Sequence, residues 1–225
     1  MKSSLRILGL ADLHDRVEML DRLRDVDADL IAFCGDLHNG SSGTTAEPVV
    51  AALARLGLPV LIVPGNMDHR DVVPQMWREA GLIMLHRSSF RFGDFGFIGM
   101  GGMAVHNPRR LEDPARYYHR DEEVYDSLAQ AYQGISGSKK IIVLTHQPPR
   151  DTRDTIYTGE RTGCISLRRF LEEYQPDLLL CGHIHEDRGE SQVGPTRIIN
   201  VGELRQGYAT VIELNGELAV DWIEL

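Results

Sequence analysis

Residues 178–189 read LLLCGHIHEDRG, four apolar residues running into a glycine and then two histidines, His183 and His185. So short an apolar run, closed by glycine, reads as a strand buried on both faces. Extended chain sends residues i and i+2 to the same side, so both imidazoles leave that strand together. Moving outward, the same device recurs in LRILGLADLHD (5–15), DLIAFCGDLH (29–38), PVLIVPGNMD (59–68) and KKIIVLTHQPP (139–149). Amphipathic stretches separate the first three: 15–25 with Val17, Leu20 and Leu23 on one face, a segment after the polar loop NGSSGTTAE, and 70–80. The middle helix carries Pro48 in its first turn and Gly57 just past its end, the usual asymmetry. This β-α-β-α-β order predicts a parallel, right-handed unit.

The second half is patterned differently. SFRFGDFGFIGMGG (89–102) predicts a hairpin turning at Gly93–Asp94, and 103–135 is mixed, charged and partly helical. Strands over 139–146 and 176–183 flank a helix bearing Leu167, Phe170, Leu171 and Tyr174. TRIINVG, GYATVIEL and ELAVDWIEL predict an antiparallel meander with an Asn215–Gly216 turn. One α/β domain over 1–225 with two sheets is the economical reading.

The chain has 225 residues, 42% of them hydrophobic and 25% charged, enough apolar material for a sizeable core. Its net charge of -9 disfavours a nucleic-acid polymer or an anionic membrane as partner, but not a small phosphorylated substrate held by metal. The opening MKSSLRILGLADLHD is broken by Arg6 and Asp12, which fits neither a signal peptide nor a membrane span. Cys34, Cys164 and Cys181 are odd in number and far apart, so no disulfide framework is expected and the cytoplasm is the expected compartment. A homo-oligomer is compatible with the sequence.

The carboxyl ends of parallel strands share one edge of a sheet, where ligands bind. The strand ends here deliver Asp12 and His14, Asp36, Asn66 with Asp68, His146, and His183 with His185. Taken singly, such fragments have ordinary uses: His146 could bond backbone, and Asp68 could cap the next helix. With Asp68 set aside, two carboxylates, one amide oxygen and four imidazoles without a thiolate suit a pair of borderline divalent ions such as manganese, iron or zinc. Two such ions need a bridging carboxylate and can clamp both oxygens of an in-line phosphoryl displacement.

The ordered set DLH, GD, GNMD, TH and GHIH resembles the calcineurin-like metallophosphoesterase superfamily, and HQPPRDTRD…SLRRFLEEYQPDLLLCGHIHE resembles its small single-domain prokaryotic branch. The resemblance implies a four-layer α-β-β-α sandwich with two mixed sheets. It implies two divalent metals, manganese first with iron, zinc or nickel as alternatives. Asp12, His14 and His185 would hold one ion, Asn66, His146 and His183 the other, and Asp36 would bridge. A metal-bridging hydroxide would then attack phosphorus in line.

The chain departs from the family pattern at Met67, where most of the superfamily has a proton-donating histidine. A general acid is worth about 10²–10⁴-fold, so its loss predicts weak phosphomonoesterase activity and a preference for diesters or activated aryl phosphates. His38 is a candidate acid or substrate contact, His69 a lesser one, and the ordinary reading of both is an exposed loop histidine. NVGE (200–203) replaces the asparagine-proline-glycine-serine often seen in the branch; Glu203 either alters the chemistry of the rim or, the preferred reading, faces solvent. Arg109, Arg110, Arg116, Arg150 and Arg153 are candidates for meeting a substrate phosphate. Segment 101–135 reads as a lid or partner surface. The rival reading is a metal-binding protein-interaction scaffold with weak or no catalysis, which would have no need to keep all seven ligands.

Overall fold

In the computed structural model, which describes residues 4–39, 46–71 and 73–225, the first strand buries side chains on both faces. This is β1 (Leu5–Leu10), with Ile7 packed between two sheets and Leu8 packed under helices. Beside it lie β2 (Leu30–Phe33), β3 (Val60–Ile62) and β4 (Ile83–Met84), each parallel to its neighbour. Helices α1 (Glu18–Asp21), α2 (Ala46–Ala54) and α3 (Val73–Glu79) cover the outer face, where Val49, Leu53 and Trp77 share a core with Leu10, Ile31 and Phe33.

The second sheet begins with the expected hairpin, β5 (Ser88–Phe92) and β6 (Phe95–Met100). A small ladder of β7 (Met103–Ala104) and β8 (Tyr118–His119) encloses α4 (Pro108–Leu111) and leads into α5 (Asp121–Gln133). Next come β9 (Lys140–Thr145), α6 (Ile165–Tyr174) and β10 (Leu178–Cys181). The chain closes with β11 (Gly189–Val193), β12 (Thr196–Asn200), β13 (Tyr208–Asn215) and β14 (Glu217–Glu224). Strand order is β14-β13-β1-β2-β3-β4 in one six-stranded sheet and β11-β12-β10-β9-β6-β5 in the other.

Alternate residues along the strands supply three hydrophobic layers. Ile7, Ala32 and Leu61 meet Phe97, Ile142, Leu144 and Leu180 between the sheets. On the far side, Ile98, Val143, Leu179 and Ile198 pack against Val124 and Leu128 of α5 and Leu167 and Phe170 of α6. The result is the four-layer α-β-β-α sandwich expected from the sequence. Among the described residues no helix is long and apolar enough to cross a membrane.

Three local expectations are corrected. The helix expected over 15–25 is confined to Glu18–Asp21, preceded by Asp15 at φ 65° and followed by turns. The C-terminal meander is divided between sheets: β12 runs parallel to β10 in the second, whereas β13 and β14 join the first antiparallel to β1. Alternating hydrophobicity tells a strand which side to bury, not which sheet to join. The strand β11, pairing antiparallel with β12, was not expected. Of the polar loop 39–47, residues 40–45 lie outside the described residues.

The ladder of β7 and β8 seats a buried histidine, His119, against the half-buried His86. The rings of His86 and His119 stack at 5.4 Å. Nε2 of His119 is 2.9 Å from the Gly101 carbonyl oxygen and its Nδ1 is 3.3 Å from Nη2 of Arg87, contacts a neutral Nε2–H tautomer satisfies. Burial, then the charge of Arg87, push His119 down to about 4, and burial holds His86 well below its ordinary value. Because the folded pKa is depressed below 6.5, this contribution to stability is present above pH 6.5 and is lost as pH falls toward 4. Melting temperatures measured from pH 7 to 4 should therefore fall less steeply in His119→Gln than in the wild type, and equal slopes would contradict the assignment.

Candidate metal centre

Each candidate ligand sits on the loop leaving the carboxyl end of a strand. Asp12 and His14 follow β1, Asp36 follows β2 and Asn66 follows β3, all from the first sheet. His146 follows β9 and His183 and His185 follow β10, from the second. The site therefore lies across the seam between the sheets. Four of these residues are bent into the left-handed region: Asp12 at φ 54°, His14 at 48°, Asp36 at 54° and His183 at 69°. Side chains other than glycine rarely accept that conformation, and its concentration here marks a functional site. The glycines of GN and GH make room for the carboxylates. A Cβ on Gly65 would stand 2.0 Å from Oδ1 of Asp36, and one on Gly182 would stand 2.5 Å from Oδ2 of Asp12.

The donors fall into two compact groups, Asp12/His14/His185 and Asp12/Asp36/His146, with the donor atoms of each within 4.8 Å of one another. Nε2 of His14 and of His185 lie 3.8 and 3.3 Å from Oδ1 of Asp12. Nε2 of His146 lies 3.4 Å from Oδ2 of Asp36 and 3.1 Å from Oδ1 of Asn66. Asp12 is common to both groups, whereas Asp36 commits Oδ1 to the Met67 N–H at 2.7 Å. His183 lies beside His146, ring centroids 4.8 Å apart, but belongs to neither compact group. Its N–H donates to Oδ2 of Asp12 at 2.9 Å.

A divalent cation fits these donors. Oδ1 of Asp12 is buried and accepts no hydrogen bond among the described residues, although two imidazoles face it. An uncompensated carboxylate oxygen is costly, and a cation would satisfy it. Carboxylate, amide and imidazole donors without thiolate suit manganese, iron or zinc. The electrostatics are those of a proton-filled pair: burial works against ionising Asp36, but the attraction of His146 outweighs it and holds the carboxyl at about 2. Burial likewise opposes protonating His146, yet Asp36 raises it to about 9. Burial, then the charge of His146, push His183 down to about 4.

Several residues sit otherwise than the sequence predicts. Among the described residues Asp68 caps no helix. Fully buried, its carboxylate accepts the N–H groups of Asp36 (3.0 Å), His38 (3.2 Å) and Gly65 (2.7 Å), tying two ligand loops together. His38 is not an exposed loop histidine but is 0% exposed, with Nε2 3.6 Å from Oδ1 of Asp68. His69, largely buried, accepts a hydrogen bond from the Asp71 N–H at 3.4 Å. Glu203, expected in solvent, is 2% exposed and lies 3.2 Å from Nδ1 of His185.

The arginines divide by use. Arg153 is committed to Asp187 and to the carbonyl of Glu190, and Arg109 is exposed. Arg116 donates to the carbonyl of Met67. Arg110 and Arg150 line a cleft of about 380 Å³ with Gln147, the residue after His146. Arg161, which nothing in the sequence singled out, joins them there, fixed by Asp154 at 2.7 Å. Gln147 ties the walls together, accepting from Ala104 N–H at 2.9 Å and donating to the Thr162 carbonyl at 2.7 Å.

Comparison with known proteins agrees with this arrangement. The model of the calcineurin-like phosphoesterase family matches residues 5–187. The chain belongs to that family: it is a calcineurin-like metallophosphoesterase with Asp and His residues placed to bind metal. It is 28% identical over 207 residues to the uncharacterized protein MJ1162 of Methanocaldococcus jannaschii, covering 89% of each chain. It is 30% identical over 219 residues to the UPF0046 protein K07C11.7 of Caenorhabditis elegans, covering 90% of this chain and 71% of that one. Among solved structures, the fold resembles TT1561 of Thermus thermophilus, with a TM-score of 0.74, 18% identity and coverage of 96% and 98%. It also resembles a dimetal phosphatase from Danio rerio, with a TM-score of 0.63, 10% identity and coverage of 98% and 96%.

Proposed function

We propose that this protein is a dinuclear metal-dependent phosphohydrolase acting on small-molecule phosphate diesters, with manganese as its first metal and iron, zinc or nickel as alternatives. The observation that carries the reading is the pair of compact donor groups sharing Asp12 across the seam between the sheets. Asp12, His14 and His185 would hold one ion, Asn66, His146 and His183 the other, and Asp36 would bridge. When bound, such a pair supplies Lewis-acid neutralisation of the phosphoryl oxygens and acidifies the attacking water.

The chain's own groups set the preference. Met67 has no proton to give, and Arg116, which reaches its carbonyl, brings a permanent cation rather than an acid. The leaving group must therefore depart with little proton assistance, which favours activated aryl phosphates and diesters over alkyl monoesters. Arg110, Arg150 and Arg161 line a cleft with Asp121 and with Gln147, which follows His146 in sequence. Arg150 and Arg161 face Asp151 and Arg161 also pairs with Asp154, which leaves Arg110 as the cleft arginine in no ion pair among the described residues. With a net charge of -9, that supports a small anionic substrate rather than a polymer.

Two measurements test the proposal. The manganese-loaded protein should contain two ions per chain and turn over bis(4-nitrophenyl) phosphate with a higher kcat/KM than 4-nitrophenyl phosphate. Two bound ions without turnover of either compound would refute the assignment as a hydrolase. Replacing Arg110 and Arg150 together by alanine should raise KM about tenfold with little change in kcat, as expected for lost charge-assisted binding. An unchanged KM would remove the cleft from the substrate's path.

A further inference from the structure

His185 and His146 occupy comparable places, one in each compact donor group, but what stands behind them differs. Nδ1 of His146 lies 2.7 Å from the carbonyl oxygen of Cys34, a neutral acceptor. His14 is backed by the amide oxygen of Asn39 at 3.0 Å, also neutral. Nδ1 of His185 instead faces Oε2 of Glu203 at 3.2 Å. This carboxylate is 2% exposed and held from two more directions. Nε of Arg205 donates to Oε1 at 2.6 Å, and Nε2 of Gln206 donates to Oε2 at 2.8 Å. The Tyr208 N–H bonds the Glu203 carbonyl at 3.2 Å, so the main chain is fixed as well.

A carboxylate behind an imidazole keeps the proton on the near nitrogen, leaves the far nitrogen's lone pair free and makes it a stronger donor. Here the far nitrogen is Nε2, which points at the unbonded Oδ1 of Asp12 from 3.3 Å. Glu203 places its carboxylate directly behind a candidate ligand of the first group, whereas the buried carboxylate near the second, Asp68, bonds the backbone N–H of Asp36 rather than an imidazole. Arg205 offsets part of that charge, but its side chain is 45% exposed and screened by water, whereas Glu203 is not.

We propose that Glu203 is a positioning residue that makes the two metal positions unequal. The position formed by Asp12, His14 and His185 takes its cation first and more tightly, because a buried carboxylate orients and strengthens His185. This inference rests on the dinuclear reading above and adds to it an order of loading and the residue that sets it.

The test is a manganese titration of the metal-free protein, followed by calorimetry and by electron paramagnetic resonance, in which coupling between ions reports the second binding event. The wild type should show two resolved steps. Glu203→Gln, which preserves shape and folding, should weaken the first step about 10–100-fold and move the second little, so that the steps merge. In a His185→Ala background the same substitution should change neither step, because the imidazole through which Glu203 acts is gone. Equal weakening of both steps, an unchanged first step in Glu203→Gln, or an undiminished effect in the His185→Ala background would each overturn the proposal. A wild type that binds two ions with indistinguishable affinity and still hydrolyses bis(4-nitrophenyl) phosphate would refute the inequality and leave the hydrolase reading intact. Fewer than two ions bound would refute both.

Discussion

Asp36→Asn should lower turnover of the manganese-loaded protein by about 10³-fold, the scale on which removing a preorganised electrostatic element acts. The substitution is nearly isosteric, and the amide oxygen can still accept the Met67 N–H now bonded at 2.7 Å. The loop should therefore keep its course. What disappears is the negative charge that faces Nε2 of His146 at 3.4 Å and would face the metal. Without it His146 also loses the attraction that raises it to about 9, and its proton will come off at lower pH. Metal content by plasma emission should fall below two ions per chain while the far-ultraviolet spectrum stays unchanged. Full metal content and near-wild-type turnover on bis(4-nitrophenyl) phosphate would remove Asp36 from the centre.

Asp68→Ala should act on stability rather than on chemistry directly. It would strand the buried N–H groups of Asp36, His38 and Gly65, each now bonded to one carboxylate. Each unsatisfied buried donor costs about 1–3 kcal/mol, and partial relaxation brings the expected total to about 4 kcal/mol. For a chain of this size that lowers the melting temperature by about 8–16 °C. Metal affinity should fall with it, because the loops after β2 and β3 lose the side chain that holds them together. A melting temperature within 2–3 °C of wild type, roughly the effect of 1 kcal/mol, would show that water replaces the carboxylate.

How much of this was legible in the sequence follows from what kind of force fixes each part. The strands were readable because burial on both faces writes a run of apolar residues, as in LIAF of β2 and LLLC of β10. The polar residues at their ends were readable because the runs stop abruptly at them. The helix over 15–25 was not, since Val17, Leu20 and Leu23 serve the same core from a short helix and turns. Asp68 and Glu203 were misjudged for one reason. Their partners lie far off in sequence, 32 and 30 residues away for Asp36 and His38 and across β11 and β12 for His185, or are reached through a turn, and no local periodicity encodes a carboxylate gathering distant N–H groups. The same holds for Arg161, whose anchor Asp154 is hidden inside its own loop. His38 shows the converse: a polar sequence around a histidine says nothing about whether that side chain is buried.

The seam has a mechanical consequence. His146 of the second sheet reaches the Cys34 carbonyl of the first, and the His183 backbone N–H reaches Asp12. A cation gripping ligands from both sides would act as a rivet at one end of the sandwich. At the other end Arg197 of β12 donates to the Leu218 carbonyl of β14 at 3.1 Å, so occupancy of the pocket would be felt as a change in how tightly the two halves are fastened at the end opposite that tie.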